Sequence, residues 1–105
     1  MKVRFLYMYR DAGNFKNFGE AYFENPHGFS LENLTEKIKS NLLEDLFFDA
    51  FAVGLPELFF EDYDDELDHD WHEFDRLEHL VDNNIGDDLQ SISDFIEQLE
   101  AKRLT

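Results

Sequence analysis

A chain of 105 residues has room for one domain and sits near the lower end of sizes that bury a self-sufficient core, so two independent domains are excluded. A hydrophobic share of 43% with twelve Phe, against two Pro and five Gly, is too apolar and aromatic for a charged disordered chain, in spite of a formal net charge of -16. The absence of cysteine removes disulfides, thiolate metal ligation and thiol catalysis together, and leaves stability to a Phe-rich core.

Lys2–Tyr9 alternates Lys2 and Arg4 against Val3, Phe5 and Tyr7 and is rich in aromatics, which predicts a strand. Asp11, Gly13 and Asn14 supply turn chemistry, and Phe18–Asn25 returns as a second strand, so the chain opens on a β-hairpin. Asn25, Pro26 and Gly28 end that strand, and Ser30 is placed to cap a helix whose apolar stripe is Leu31, Leu34, Ile38 and Leu42, with Glu32 in its first turn. The apolar run Leu46–Phe60 is cut by Gly54 and Pro56 and reads as irregular core-filling chain with short extended pieces.

The stretch Glu61–Asp75 carries nine acids in fifteen residues and no Lys or Arg. In the segment from Trp71 to Val81, which overlaps the end of that stretch, Trp71, Phe74, Leu77 and Val81 have helical spacing while the neighbouring turn signals suit a strand, and a strand is expected. Asp82, Asn83, Asn84, Gly86 and Asp87 predict a loop, and Ser91 with Asp94 three residues on opens a final amphipathic helix, with Lys102 and Arg103 suited to its C-terminal dipole. The expected fold is therefore α+β: a small antiparallel sheet of three to four strands, an N-terminal β-hairpin and two helices on one face, in the order β-β-α-(β)-β-α. No apolar run approaches the roughly 18 residues of a membrane helix, and the N-terminus lacks a signal-peptide pattern, so a cytoplasmic protein with no membrane partner is expected.

Charge is divided unevenly. Residues 1 to 43 hold six Lys/Arg and five Asp/Glu, whereas residues 44 to 101 hold twenty acids and Arg76 alone. Self-repulsion of that density lowers the stability of the compact state, and it makes nucleic acid an unsuitable direct ligand. Lys2, Arg4, Arg10 and Lys16, on or beside the hairpin, could pair with the chain's own acids or with another copy.

Three constellations bear on chemistry. Asp62, Asp64, Glu66, Asp68, Asp70 and Glu73 fall at positions 1, 3, 5, 7, 9 and 12 of a calcium-loop window, yet Leu67 stands where the sharp turn requires Gly. His69, His72 and His79 could approach one another with carboxylates as a zinc shell, against the plainer reading of histidines in an acidic surface. Neither pattern justifies assigning metal ligands; a divalent-metal protein stays as an alternative reading, as does an acidic domain with no charge-specific partner. No nucleophile elbow, phosphate loop or base-nucleophile pair occurs, so no enzyme activity and no cofactor are expected. The third constellation is a binding surface. Were residues 64 to 70 extended, Asp64, Glu66, Asp68 and Asp70 would form a ladder with charges about 6.6 to 6.8 Å apart, a spaced line of negative charge like that which basic nucleic-acid-binding surfaces recognise. Tyr63 and Trp71, flanked by Phe59 and Phe60, would add apolar anchors. The candidate partner-binding residues are Glu61, Asp62, Tyr63, Asp64, Asp65, Glu66, Asp68, Asp70, Trp71 and Glu73.

Phe5–Glu20, read with Asp68–Asp75, resembles a group of small acidic bacterial and mobile-element proteins. By size and charge the chain is also similar to DNA mimics, to anti-restriction and anti-CRISPR inhibitors, and to acidic immunity proteins that neutralise nucleases. These likenesses transfer no individual residue. What they imply is an inhibitor whose partner is a basic protein, such as a nucleic-acid-binding protein or a nuclease.

Overall fold

Strand β1 (Lys2–Arg10) is the centre of the molecule because its alternation gives it one wholly apolar face: Val3, Phe5, Tyr7 and Tyr9 are buried, while Lys2, Arg4, Leu6, Met8 and Arg10 point to the other face. The computed structural model describes residues 1–64, 66, 68–80 and 88–104. In it β2 (Lys16–Glu24) pairs antiparallel with β1, and β4 (His72–Leu80) pairs antiparallel with the opposite edge of β1. The two-residue β3 (Phe47–Phe48) completes a four-stranded sheet in the order β2-β1-β4-β3. Helices α1 (Leu31–Ser40) and α2 (Ile92–Ala101) start where expected, with the hydroxyls of Ser30 and Ser91 accepting from the backbone N–H groups of Asn33 and Ser93. The expected α+β layout is the one observed, the segment from residue 72 to 80 is a strand, and the predicted loop at residues 82–87 lies outside the described residues.

Both helices cover the same face of the sheet. Leu34 and Ile38 of α1 and Ile92, Phe95 and Leu99 of α2 join the core built on Phe5. Phe5 packs its ring within 5.1 to 6.5 Å of Phe74, Phe95, Phe48, Tyr7 and Phe23, in the tilted and edge-on arrangements that aromatic quadrupoles favour. The opposite face has no covering layer among the described residues, and no described helix is long and apolar enough to cross a membrane.

One irregularity matters for register. Leu6 faces Arg76 while Tyr7 faces Phe74, so Asp75 is an extra residue on β4. This bulge separates the core residues Phe74 and Leu77 by three positions instead of two, and together with His72 they all reach the buried side.

Candidate functional site

The helices cover the half of the sheet near Val3, Phe5 and Phe23. The other half of the core face, at Tyr7 and Tyr9, is closed by the described residues of the irregular chain between 49 and 71. That chain satisfies only part of its own backbone in short turns, and side chains of β1 and β2 take up further carbonyls. The Tyr7 hydroxyl donates to the Pro56 carbonyl at 2.7 Å, the Tyr9 hydroxyl to the His69 carbonyl at 2.8 Å, and the Asn17 amide to the Leu58 carbonyl at 3.1 Å. Phe59 sets its ring edge-on to Tyr9, with centroids 4.9 Å apart, and lies 4.8 Å from Tyr63. Burial pushes the Tyr7 phenol up to about 12, and burial followed by the charges of Asp68, Asp11 and Asp70 does the same to Tyr9.

Within this frame the acidic residues take several distinct roles. No extended ladder forms from 64 to 70: the Asp68 N–H donates to the Asp64 carbonyl at 2.8 Å, closing a turn. The carboxylate of Asp68 accepts from the N–H groups of Ala12 at 2.7 Å and Asp64 at 2.9 Å, which ties this turn to the tip of the β-hairpin and holds the Asp68 carboxyl below its usual range. Asp64 in turn accepts from the Glu66 N–H at 2.9 Å. Local hydrogen bonding of short carboxylates with nearby backbone wins over extension here. These carboxylates therefore face backbone N–H groups, and among the described residues no three His, Asp or Glu side chains converge to hold a metal ion.

The remaining predicted residues are equally resolved into roles, except Asp65, which lies outside the described residues. Glu61, Asp62, Asp64, Glu66 and Asp70 are exposed, and Tyr63, half-buried, donates its hydroxyl to Asp70. Trp71 is 38% exposed and packs on Phe47 at 5.6 Å between ring centroids. Glu73 is only 6% exposed, on the uncovered face of the sheet, where Arg10 grips it through contacts of 2.9 and 3.4 Å; it belongs to the architecture of that face. The three histidines part company, since His72 is buried in the core whereas His69 and His79 are exposed.

Charge is sorted by face. On the uncovered side of the sheet, Lys2 pairs with Glu24, Arg4 with Glu20 and Glu78, Arg10 with Glu73, and Arg76 with Asp75 and Glu78. By contrast, none of Asp49, Glu57, Glu61, Asp62, Asp64, Glu66 or Asp70 forms an ion pair with Lys or Arg among the described residues. Three of these uncompensated acids, Asp49, Glu57 and Asp70, line an open cleft of about 380 Å³ together with Phe51 and Phe59. Phe51 is 75% exposed there. Of the cleft residues only Asp70 is among the predicted partner-binding residues. The signal for the others was the pair Asp49 and Glu57, isolated acids inside an apolar run, which must reach the surface to keep their water and carry the adjacent rings with them. Chemically the cleft offers carboxylates beside aromatic faces, a combination suited to organic cations. The chain matches no protein-family model, no curated protein and no solved structure.

Proposed function

We propose that this chain is an acidic protein-binding module that occupies the basic, nucleic-acid-binding surface of a partner such as a nuclease. The observation that carries the reading is the sorting of charge: the sheet face balances its own acids, while Asp49, Glu57, Glu61, Asp62, Asp64, Glu66 and Asp70 at the loop end have no Lys or Arg partner among the described residues. Unbalanced charge of one sign on a pinned loop costs stability, and a partner of opposite charge is what recovers that cost. Tyr63, Trp71, Phe51 and Phe59 supply apolar contacts beside the charges, as interface anchors do. The active shape is a hydrogen-bonded turn projecting Asp62, Asp64 and Glu66, with no straight ladder.

The mechanism is competition with phosphate. Association is steered by long-range charge and weakens steeply with salt, since the screening length falls to about 10 Å at 0.1 M. The test titrates the protein into a set of nucleases and DNA-binding proteins carrying labelled duplex DNA. Displacement of DNA at low salt, lost at high salt and lost when Asp62, Asp64 and Glu66 are changed to Asn or Gln, is expected. DNA that stays bound to every member of the set at low salt refutes the reading.

A further inference from the structure

Among the described residues no strand pairs with the outer edge of β2 from Lys16 to Tyr22, and the sequence of that edge is complementary to itself. The direction of its backbone groups follows from the hairpin bonds: Asp11 N–H donates to Phe15 and Asn25 N–H to Met1, so odd-numbered partners bond between β1 and β2. The N–H and C=O groups of Lys16, Phe18, Glu20 and Tyr22 therefore face away from β1. Glu24, on the same side, already donates to the Gln90 carbonyl at 3.0 Å, which stops the free edge at Tyr22. Such an edge is a template for another strand. Phe18 is 62% exposed on it, and Lys16 makes no ion pair among the described residues.

We infer that β2 pairs antiparallel with β2 of a second copy about a two-fold axis at Gly19, joining the two sheets into one. In this register Phe18 faces Glu20 of the other copy and Lys16 faces Tyr22. Lys16 then lies diagonal to both Glu20 and Glu24 of that copy, within reach of a long side chain, so the unpaired cation gains carboxylates. No two like charges stand directly opposite. A two-fold axis at Glu20 instead would set Glu20 against itself and would need the Glu24 edge that Gln90 occupies. On the helix side the axis passes between glycines, and Leu58, whose methyl groups would sit 3.0 Å from a Cβ at Gly19, brings an apolar side chain to the seam. The uncompensated acids oppose this pairing, because each copy carries a net charge of -16. Self-association therefore strengthens with salt, opposite to the salt response of a complex with a basic partner, so the two readings fail separately.

Sedimentation velocity of the native chain up to hundreds of micromolar should show a dimer whose fraction rises between about 50 mM and about 500 mM NaCl. Glu20→Pro removes an outward N–H that no described residue accepts and should weaken association about tenfold or more, with the far-ultraviolet circular dichroism unchanged. Because the chain lacks cysteine, register can be read by oxidation. A Lys16→Cys/Tyr22→Cys double variant should give covalent dimers at high salt, and neither single variant should. A monomer at every salt concentration, or crosslinking through Phe18→Cys/Tyr22→Cys in place of the first pair, overturns the inference.

Discussion

The N–H of Leu58 donates to Nε2 of His72 at 2.9 Å, joining the irregular acidic segment to the most buried position of β4. With Nε2 accepting, the imidazole is neutral and carries its proton on Nδ1, which is buried and meets no acceptor in good hydrogen-bond geometry among the described residues. Desolvation lowers the His72 pKa below its ordinary value of 6.5, against the opposing pull of the Asp70 backbone and Asp49. A depressed histidine pKa means that the unfolded chain takes up the proton first. Stability contributed by neutral His72 is thus complete above about pH 6.5 and is lost as pH falls below it.

Urea midpoints at pH 7.5 and 5.5 should accordingly fall toward acid, in a window above the range where carboxylates protonate. His72→Phe should flatten that slope while lowering stability at pH 7.5 by about 1 to 3 kcal/mol, because the Leu58 N–H loses its acceptor in a buried setting. An unchanged slope in the variant would separate His72 from the acid response.

Tyr7 and Tyr9 set the alkaline limit. Their phenols ionise at about 12, against 10.0 for an unshifted tyrosine, so the stability they contribute is full below about pH 10 and is lost as pH rises through 12. Ultraviolet titration should show late-ionising tyrosines in the native chain that shift toward 10 in denaturant. Tyr9→Phe keeps the ring against Phe59 but gives up the bond to the His69 carbonyl, for a cost of about 1 kcal/mol.

The turn before β3 holds Glu44 and Asp45 in succession at φ of 55° and 58°. Leu43 and Phe47 exchange backbone bonds of 3.0 and 2.9 Å across it, which fixes this conformation. A left-handed residue with a Cβ costs roughly 1 to 2 kcal/mol, and Glu gains less locally than Asp. Glu44→Gly should therefore stabilise the fold by about 0.5 to 1 kcal/mol, read as an increase of a few degrees in Tm.

How much of this was legible in the sequence depends on which interaction fixed each element. The hairpin and both helices were, since Val3, Phe5 and Tyr7 alternate on β1 and Ser30 and Ser91 cap the periodic stretches as their chemistry dictates. β4 was ambiguous for a definite reason: the bulge at Asp75 gives Phe74 and Leu77 the three-residue spacing of a helix inside a strand. At the site, the density of exposed acids was legible, but their shape was not. The ladder depended on residues 64 to 70 being extended, a conformation the composition alone does not fix, and in its place stand bonds from Ala12 and Asp64 onto Asp68, one of which spans 56 positions in the chain. The role of Glu73 was hidden likewise, because its cation, Arg10, is 63 positions away.

That pair permits a contrast between acids that hold the fold and acids that do not. The side chain of Glu73 is 8% exposed and depends on an Arg10 that is 36% exposed. Removing Arg10 would leave a buried carboxylate without compensation, which costs about 3 to 5 kcal/mol when both partners are buried. Water reaching the Arg10 side of the pair reduces this to about 1 to 3 kcal/mol. Arg10→Met, which keeps the apolar stem over the sheet, should therefore lower Tm strongly, and a second change of Glu73→Gln should restore most of the loss. Glu61→Gln, Asp62→Asn and Glu66→Gln together should do the reverse, raising Tm by a few degrees at low salt, where their mutual repulsion is felt, and having little effect at high salt. If the exposed acids exist for a partner, these same changes must abolish DNA displacement while they stabilise the chain, the trade expected of a site maintained at the expense of the fold. Thermal melts at two salt concentrations beside the displacement assay measure both halves, and destabilisation by the triple change would show that Glu61, Asp62 and Glu66 serve the fold.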